Sequence, residues 1–456
     1  MVLGAGPAGV GAAYRAARDG HRVILVERAD GVGGAAASHT VAGVRVDLGS
    51  HRLHPTVEPR ILAVLHDLLG DDLQRRPRNG RIRLGDRWIA FPLRPLDLAR
   101  RLPLDMAAGA ARDAALRFRR PPPRADTFEE VLRAALGPTL CERFYFPYAR
   151  KLWGLEPSEL SGEQARRRVS ARSPGRLVGR VLARGSAGKR VFLYPRRGYG
   201  QLWEALADGA ASAGAEVLLD TEATGVELRR EGARVTLAGG GVLEARRVWS
   251  TLPATALARM AVPSPPADAL AAASALEYRA MALVYLVVPR RRYTPFDAHY
   301  LPDGATPVTR VSEPRNYRDG PDPEGVTVLC AEIPCDATGG VFAAPDEVLG
   351  EVAAQGLAEA GLPRPEVAGV EVARLRHAYP VLRAGVERHL AALDAWADAQ
   401  PALLTLGRQA LFVHDNAHHA LAMAWAAADC LGRDGAFDDQ AWARARRRFA
   451  GHVVED

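Results

Sequence analysis

The sequence predicts an α/β protein that starts with a Rossmann-like, dinucleotide-binding β-α-β unit. First, MVLGAGPAGVGAAYRAARDG places a G-x-G-x-x-G turn (Gly4, Gly6 and Gly9) between an apolar strand end and a helix closed by Gly20. Second, the next stretch, HRVILVE, is a buried strand that ends in an acid, Glu27. Third, strand and helix patterns alternate along the rest of the chain. Strand, turn, helix, strand and acid in this order are typical of a dinucleotide site.

Each residue type in this unit has a physical reason. Gly4 permits the tight turn, and Gly6 lets the backbone approach a pyrophosphate at the helix N-terminus. Gly9 allows the helix to pack closely on the strand. A carboxylate at Glu27 accepts ribose hydroxyls and disfavours a 2′-phosphate. Because the apolar stretch before the turn is short for a first strand, we expect that the start of the sequence is either truncated or misassigned.

Composition and charge narrow the class of protein. The chain has 456 residues, enough for two domains, and a net charge of +7. Its basic residues are nearly all arginine. No basic run is interleaved with aromatic residues, so nucleic acid is not expected as a partner. No apolar stretch reaches the length of a bilayer, and the four cysteines lack metal-ligand spacing. We therefore expect a reduced, cytoplasmic protein, with peripheral membrane contact as an alternative.

The next stretch, ERADGVGGAAASHTVAGVRVDLGSHRLHP, indicates the cofactor. A second glycine turn, Gly33 and Gly34, follows the acid directly, where a simple nicotinamide domain would continue into another crossover helix. This order resembles the FAD-binding domain of the amine-oxidase-like flavoproteins of the GR2 type. The resemblance implies that the strand end DLGSH, with Gly49, Ser50 and His51, reaches the isoalloxazine. No cysteine lies where a flavin-tethering cysteine would, so FAD is expected to be non-covalent.

Later segments resemble two branches of the same superfamily. TFEEVLRAALGPTLCERFYFPYARKLWGLEPSEL is similar to the UDP-galactopyranose mutases, whose Tyr and Trp line the sugar-nucleotide pocket; Tyr148 and Trp153 match them. FLYPRRGYGQLWEALADGA is closer to the protoporphyrinogen oxidases. LLTLGRQALFVHDNAHHALAMAWAAADCL resembles the last flavin motif, in which a helix beginning near Asn416 or His418 points its N-terminus at the flavin pyrimidine.

The resemblance implies a set of cofactor contacts. The backbone near Val226 is expected to lie against the adenine, and a turn with Thr251 and Pro253 near the ADP moiety. The expected cofactor-binding residues are Gly4, Gly6, Pro7, Ala8, Gly9, Glu27, Arg28, Gly33, Gly34, Ala35, Gly49, Ser50, His51, Val226, Thr251, Pro253, Gly407, Arg408, Asn416 and His418.

Two interleaved domains are expected. The FAD-binding domain takes residues 1–75, 190–260 and 400–456. The mixed-sheet substrate domain takes residues 76–189 and 261–399, with a helical block over 91–189 and a sheet over 270–399. The basic stretch RPLDLARRLPLDMAAGAARDAALRFRRPPPRADTF predicts packed amphipathic helices with a solvated arginine face. A membrane-surface or lipid-substrate lip is the alternative.

Few residues are candidates for chemistry, because in this superfamily the flavin carries out the reaction. His51 is expected either to bond to the isoalloxazine or only to pack against its edge. Tyr148 and Trp153 are expected to wall the substrate pocket, with a core role as the alternative. Three arginines are candidates for binding a phosphate or carboxylate, or are solvated surface: Arg52, Arg168 and Arg172.

The last motif contains a histidine cluster, His414, His418 and His419. Flavin contact or helix capping is favoured there over a metal site, because no cysteine or carboxylate joins the cluster at ligand spacing. No metal is therefore expected. In YPRRGYGQLWE, Gly198 and Gly200 are expected either to bring backbone close to the flavin or substrate, or to form a tight turn.

The leading functional prediction is an FAD-dependent oxidoreductase, of the amine-oxidase and protoporphyrinogen-oxidase type, that moves hydride from a substrate C–H to flavin N5. The alternative is a non-redox isomerase like UDP-galactopyranose mutase, acting on a nucleotide sugar. The third hypothesis is a flavin-binding protein that has lost catalytic activity. The mutase's last motif carries a Tyr and acidic residues where this chain has His414, Asn416 and His418, which favours the oxidoreductase. The expected partner is a small molecule, with an anion or a nucleotide sugar as candidates.

Overall fold

The structure is a computed structural model that describes residues 1–116, 122–168 and 191–454. Arg172, named above, lies outside the described residues. Of Arg168 only the backbone is described.

A five-stranded parallel sheet forms the nucleotide side of the molecule. In spatial order its strands are Leu403–Thr405, Val248–Ser250, Val2–Leu3, Ile24–Val26 and Glu216–Leu218. Their residues are mostly apolar, as expected for a parallel sheet that is covered on both faces. The helices packed together on one face are Pro7–Arg18, Gln201–Ser212 and Ala417–Asp429. The predicted α/β class and the β-α-β start are confirmed.

The other face of this sheet is covered by a small β-layer and three helices. The layer's strands are Ala223–Arg229, Gly232–Leu237, Val242–Ala245 and Ala261–Val262. The helices are Ala254–Met260, Ala267–Ala275 and Glu387–Asp398. Their apolar side chains share one buried cluster with the parallel strands.

A seven-stranded mixed sheet forms the other side of the molecule. Its strands, in spatial order, are Gly369–Val381, Glu277–Val288, Thr327–Cys335, Arg310–Ser312, Ala298–Tyr300, Gly80–Leu84 and Arg87–Phe91. The last two come from outside the 270–399 segment to which the sequence assigns this sheet. Helix Asp346–Glu359 packs on one face, and the hairpin of Ser38–Val41 with Val44–Asp47 packs on the other.

The remaining elements connect these sheets. Strand Leu73–Pro77 pairs with Val191–Pro195. Within the described residues, the remaining α-helices are Pro59–Leu69, Pro95–Arg101, Leu104–Ala115, Phe128–Leu136, Pro138–Leu140, Phe146–Trp153, Gly162–Arg168, Gly340–Ala343 and Asp439–Phe449. A π-helical turn, Cys141–Tyr145, joins two of them into a nearly continuous rod. That rod ends at Gly154, whose φ of +69° is the left-handed conformation that favours glycine.

Two further features bear on the sequence expectations. All four cysteines are buried free thiols. Among the described helices, none has the length and apolar character needed to cross a membrane.

Candidate cofactor and substrate site

The first glycine turn leaves an open cradle in front of helix Pro7–Arg18. A Cβ on Gly9 would lie 1.8 Å from the Gly4 carbonyl oxygen, so this position requires glycine. A Cβ on Gly6 would meet nothing within 4 Å. Among the described residues no side chain caps this helix, and its first turn holds no acidic residue. The exposed N–H groups and the positive helix end fit a diphosphate.

Glu27 lies beside this cradle, at the end of strand Ile24–Val26. One carboxylate oxygen accepts the Ala5 N–H at 2.7 Å, and the other accepts the Ala29 N–H at 3.0 Å. These bonds fix the orientation of the acid next to the glycine turn, and each oxygen keeps a second lone pair for a hydroxyl donor. Its neighbour Arg28 is exposed.

The second glycine turn packs directly onto the first. The Gly33 N–H donates to the Ala5 carbonyl at 2.7 Å, and a Cβ on Gly34 would lie 3.3 Å from the Gly6 Cα. Gly33 has φ +108° and lies against Trp203, so a side chain there would be strained and blocked. The two turns therefore form one continuous backbone surface, with Ala35 in the short 3₁₀ turn that follows.

The other residues expected near the ADP moiety support the first turn from behind. The Thr251 hydroxyl donates to the Leu3 carbonyl at 2.9 Å. Val226 is fully buried in the apolar cluster, and Pro253 begins helix Ala254–Met260. A Cβ on Gly407 would lie 2.8 Å from the Cβ of Ala8, so the last parallel strand closely approaches the first helix. Contact of these residues with the cofactor stays a prediction.

Gly198 and Gly200 pack against the hairpin. A Cβ on Gly198 would lie 2.9 Å from the Ser38 Oγ, and the Gly200 N–H donates to that oxygen at 2.6 Å. The Ser38 hydroxyl in turn donates to Asp47, which also accepts the Tyr199 N–H at 2.9 Å. The turn at Gly198 and Gly200 thus fastens strand Val191–Pro195 to the hairpin, which agrees with the tight-turn alternative for this segment.

The strand end DLGSH lies at the junction between the two large sheets. The Ser50 N–H donates to Glu332 Oε1 at 2.9 Å. His51 Nε2 lies 3.0 Å from the carbonyl oxygens of both Ala35 and Leu48, so this nitrogen carries the proton and donates to them. Burial lowers the pKa of His51 below its usual range and keeps the ring neutral. The ring thus ties the second glycine turn to the strand end.

An ion pair that the sequence does not predict faces this strand end, with the Arg310 side chain 15% exposed and that of Glu332 5% exposed. Arg310 Nε donates to Glu332 Oε1 and its Nη2 donates to Oε2, each at 2.9 Å. The guanidinium lies within electrostatic reach of the hydroxyls of Tyr148, Tyr300 and Tyr379. No sequence spacing connects these residues, because adjacent strands and a distant helix bring them together. The only signal in the sequence is an acid, Glu332, inside the largely apolar stretch Thr327–Cys335.

The three tyrosines near Arg310, together with Trp153 and His414, form what we call the aromatic wall. Trp153 and Tyr379 extend this wall toward the last motif. The Trp153 ring lies 5.6 Å from that of Tyr379 and 4.9 Å from that of His414. The Arg408 guanidinium lies 4.9 Å from the centre of the Tyr379 ring. Trp153 is buried, whereas Tyr148 is half-buried and stacks on Phe144. The two residues predicted together thus lie on one wall, with Trp153 the more deeply buried.

The Arg52 side chain is only 11% exposed and is paired rather than solvated. Its Nη2 lies 3.2 Å from Asp297 Oδ1 and 3.0 Å from the Tyr317 hydroxyl, to both of which it donates. The guanidinium also lies 4.7 Å from the centre of the Tyr317 ring. The surface alternative for Arg52 is therefore wrong, and a phosphate contact would have to share the guanidinium with Asp297.

The last motif forms the start of helix Ala417–Asp429, as predicted. Asn416 is its N-cap, and the Asn416 N–H donates to His419 Nδ1 at 3.2 Å in a reciprocal capping box. His418 is buried on the adjacent position. The reasoning that no carboxylate joins these histidines is wrong in the folded chain, since Asp415 and His452 lie beside His419.

Two open surface clefts lie away from this junction. One, of about 760 Å³, is bordered by helices Pro7–Arg18, Pro59–Leu69 and Gln201–Ser212. The other, of about 510 Å³, lies beside helix Leu104–Ala115. Neither is lined by a residue predicted to bind cofactor or substrate, so they are not candidates for the reaction site.

Comparison with known proteins agrees with this fold. The fold superposes on reduced UDP-galactopyranose mutase with a TM-score of 0.82 at 20% identity, covering 99% of this chain and 97% of that one. A protein of Exiguobacterium sp. 255-15 described as a protoporphyrinogen oxidase gives 0.74 at 19%, covering 94% and 97%. A protein described as the flavin-containing monoamine oxidase AofH of Mycobacterium tuberculosis is 41% identical over 68 residues, which is 15% of either chain.

The identity at these superpositions is low, and they establish the fold alone. The family of flavin-containing amine oxidoreductases matches residues 7–428, which is nearly the whole chain. The predicted superfamily and its cofactor are confirmed. The chain belongs to the flavin-containing amine oxidoreductases and is an FAD-dependent enzyme.

Proposed function

We propose that the protein oxidises a small-molecule substrate by removing hydride from a C–H bond. The observation that carries this proposal is the buried aromatic wall that faces the strand end DLGSH. Trp153 and His414 on this wall are only 4% and 1% exposed. A dry, aromatic junction suits hydride transfer, because water is kept away from the reacting atoms. When bound, non-covalent FAD supplies the hydride acceptor, its N5 atom.

The chain's own residues would bind, orient and exclude water. The cradle at Gly6 and the helix N-terminus would hold the diphosphate, and Glu27 would accept the ribose hydroxyls. Tyr148 and Trp153 would hold the substrate against the strand end. The His51 ring is neutral, and its Nε2–H group donates hydrogen bonds to two carbonyl oxygens. We therefore assign His51 the role of positioning the strand end rather than acid–base catalysis.

We infer that the substrate is an anion or a neutral molecule rather than a protonated amine. Arg310 lies on the substrate wall, and its carboxylate partner, Glu332, is already bound in a bidentate pair. Asp297 is likewise paired with Arg52. An ammonium group would approach these guanidinium groups at a cost, whereas a phosphate or carboxylate would be attracted by them.

The second candidate is non-redox isomerisation of a nucleotide sugar. Two observations favour it: Tyr148 and Trp153 lie on one wall, and the mutase superposes over 99% of this chain. The same pocket would then hold the sugar, with a guanidinium of the wall near its diphosphate.

We place the enzyme in the cytoplasm, with peripheral membrane contact as a further possibility for one face. Leu96 and Leu104 are 62% and 82% exposed on helices Pro95–Arg101 and Leu104–Ala115. Both helices also carry arginine, as a surface that binds anionic lipid would.

Anaerobic mixing of oxidised, FAD-loaded protein with candidate substrates tests the proposal. The panel contains nucleotide sugars, porphyrinogens and amines. If the protein is an oxidoreductase, one class of compound should bleach the absorbance of the oxidised flavin without any added reductant. Sugar ring interconversion that occurs only after dithionite reduction, with no bleaching by any compound, would establish the isomerase instead.

A pair of variants then locates the pocket. Tyr148→Phe should weaken substrate binding or slow bleaching while flavin content stays unchanged. Tyr14→Phe is the matched control, because Tyr14 lies on the first helix beside the 760 Å³ cleft. Equal effects of the two variants would remove Tyr148 from the proposed pocket.

A further inference from the structure

A carboxylate and two imidazoles converge beside the start of helix Ala417–Asp429. Asp415 directly precedes the N-cap Asn416, and His419 lies in the first turn. His452 comes from the segment after the last helix, Asp439–Phe449. One ligand atom from each of Asp415, His419 and His452 lies within 4.8 Å of the other two. We call these three residues the Asp-His-His cluster.

The carboxylate of this cluster is buried and only partly satisfied. The side chain of Asp415 has no exposed surface, and its Oδ2 lies 3.1 Å from His452 Nδ1. Its other oxygen, Oδ1, is buried and has no hydrogen-bond donor among the residues that the structure describes; His419 Nδ1 lies 3.7 Å away. A buried carboxylate oxygen that lacks a donor is costly. A cation at this point would remove that cost.

The donor set matches a specific class of cation. Two imidazole nitrogens and one carboxylate oxygen bind zinc and other first-row divalent metals, whereas calcium and magnesium prefer oxygen alone. We propose that Asp415, His419 and His452 bind one divalent first-row metal ion, with zinc the best match. Three protein ligands leave a fourth position for water.

The present side-chain arrangement sets a requirement on binding. The ring centres of His419 and His452 lie 4.2 Å apart with only 18° between the ring planes, so the in-plane lone pairs lie in nearly parallel planes and do not converge on one point. At least one ring must therefore turn so that both nitrogens point at one ion. His419 Nδ1 also accepts the Asn416 N–H, and this cap competes with a metal. We expect moderate rather than very tight binding.

The charges around the cluster moderate affinity further. The guanidinium groups of Arg167 and Arg408 lie within electrostatic reach of Asp415. Arg167 donates to Glu163 at 2.8 Å, which offsets part of its charge. Without a metal, the negative charge of Asp415 is balanced only in part by nearby side chains. A bound metal ion would balance it by direct ligation of the carboxylate.

A metal here would join two parts of the chain that are distant in sequence. Val454 N–H donates to the Arg167 carbonyl at 2.9 Å, so the segment after the last helix already crosses this region. Ligation by His452 would fasten that segment to the start of helix Ala417–Asp429. The inference depends only on the cluster and is independent of the proposed reaction.

Calorimetric titration of chelator-treated, tag-free, FAD-loaded full chain with Zn²⁺ alone tests the proposal. The wild type should bind one zinc ion per chain, confirmed by elemental analysis after gel filtration. Asp415→Asn and His452→Ala should each weaken zinc binding by about 10- to 100-fold or more, since even outer-shell changes at metal sites cost that much. His66→Ala, an exposed histidine on helix Pro59–Leu69, is the matched control and should bind as the wild type does.

The outcome does not depend on activity. Flavin content and circular dichroism of each variant show whether it is folded, and His452→Gln replaces His452→Ala if the latter is not. The proposal is overturned if the wild type binds no stoichiometric zinc, or if folded Asp415 and His452 variants bind zinc as tightly as the wild type.

Discussion

Arg310 and Glu332 bind each other through two parallel hydrogen bonds of 2.9 Å in the buried junction between the two large sheets. They come from neighbouring antiparallel strands in which Arg310 lies directly opposite Glu332. Glu332 also accepts the Ser50 N–H, so one carboxylate connects the proposed substrate wall to the end of the hairpin strand. The pair therefore links the two sides of the molecule at the proposed reaction site.

Glu332→Gln should destabilise the protein by about 3–5 kcal/mol, because it leaves the buried Arg310 charge without its partner. Urea unfolding of the FAD-loaded protein measures this. Glu371→Gln is the matched control on a nearby strand: Glu371 is exposed and pairs with His39, and the loss should stay below about 1 kcal/mol. An Arg310→Met, Glu332→Leu double variant should recover part of the stability. Equal stability of Glu332→Gln and wild type would show that the pair is not buried as described.

Gly6→Ala and Gly9→Ala should separate cofactor binding from folding. A Cβ on Gly6 enters open space, so the apoprotein should lose no more than about 1 kcal/mol, while FAD binding falls because the methyl group occupies the diphosphate cradle. A Cβ on Gly9 collides with the Gly4 carbonyl, so the apoprotein itself should be destabilised. Thermal unfolding with and without FAD distinguishes the two.

Gly340→Ala serves as control for the glycine variants, since nothing lies within 4 Å of its added Cβ and it is remote from the cradle. It should change neither property. If Gly6→Ala binds FAD as the wild type does, the diphosphate does not lie in front of helix Pro7–Arg18.

Glu27→Gln should weaken FAD binding about tenfold, equivalent to about 1.4 kcal/mol, because a neutral amide accepts ribose hydroxyls less strongly. Fluorescence titration of apoprotein with FAD measures the change. Asp30→Asn removes an exposed acid from the same turn and should leave affinity unchanged. An unaltered affinity in Glu27→Gln would limit this acid to holding the Ala5 and Ala29 N–H groups.

Lys151 should make stability depend on alkaline pH. Burial lowers its pKa from 10.5 to about 8, although Nζ donates to the carbonyls of Leu301 and Asp303 at 2.7 and 2.8 Å. Between these two pH values the unfolded chain holds the proton and the folded chain does not. The free energy of unfolding should therefore rise with pH in that window.

Lys151→Met lacks this contribution, so the difference between wild type and variant should change in favour of the wild type as pH rises from 8 to 10.5. Denaturant unfolding at several pH values measures both proteins. Parallel curves would mean that Lys151 is not buried as described.

Local patterns in the sequence predicted the backbone structure at three places in the candidate site. The turn at Gly4, Gly6 and Gly9, the acid at Glu27 and the N-cap at Asn416 each follow from residues a few positions apart. Their geometry depends on local backbone conformation, which glycine, a strand end or a capping residue determines directly.

Pairs of residues that are distant in the sequence could not be predicted from local patterns. Arg52 was as compatible with a solvated surface as with a site, and its partner Asp297 is far away in sequence. Arg310 and Glu332 meet only because of strand register, which depends on the whole seven-stranded sheet. Asp415 was visible in the last motif, but its neighbour His452 lies beyond a complete helix. Burial and pairing of these groups are properties of the folded chain.

Strand Leu403–Thr405 pairs with Val248–Ser250 at one edge of the parallel sheet, and the helix that follows covers the first helix of the chain. A growing polypeptide therefore cannot complete its nucleotide-binding half until nearly all of it has left the ribosome. Loading of FAD should accordingly be a late event in biosynthesis, and chains that stop short of this strand should be released without bound flavin.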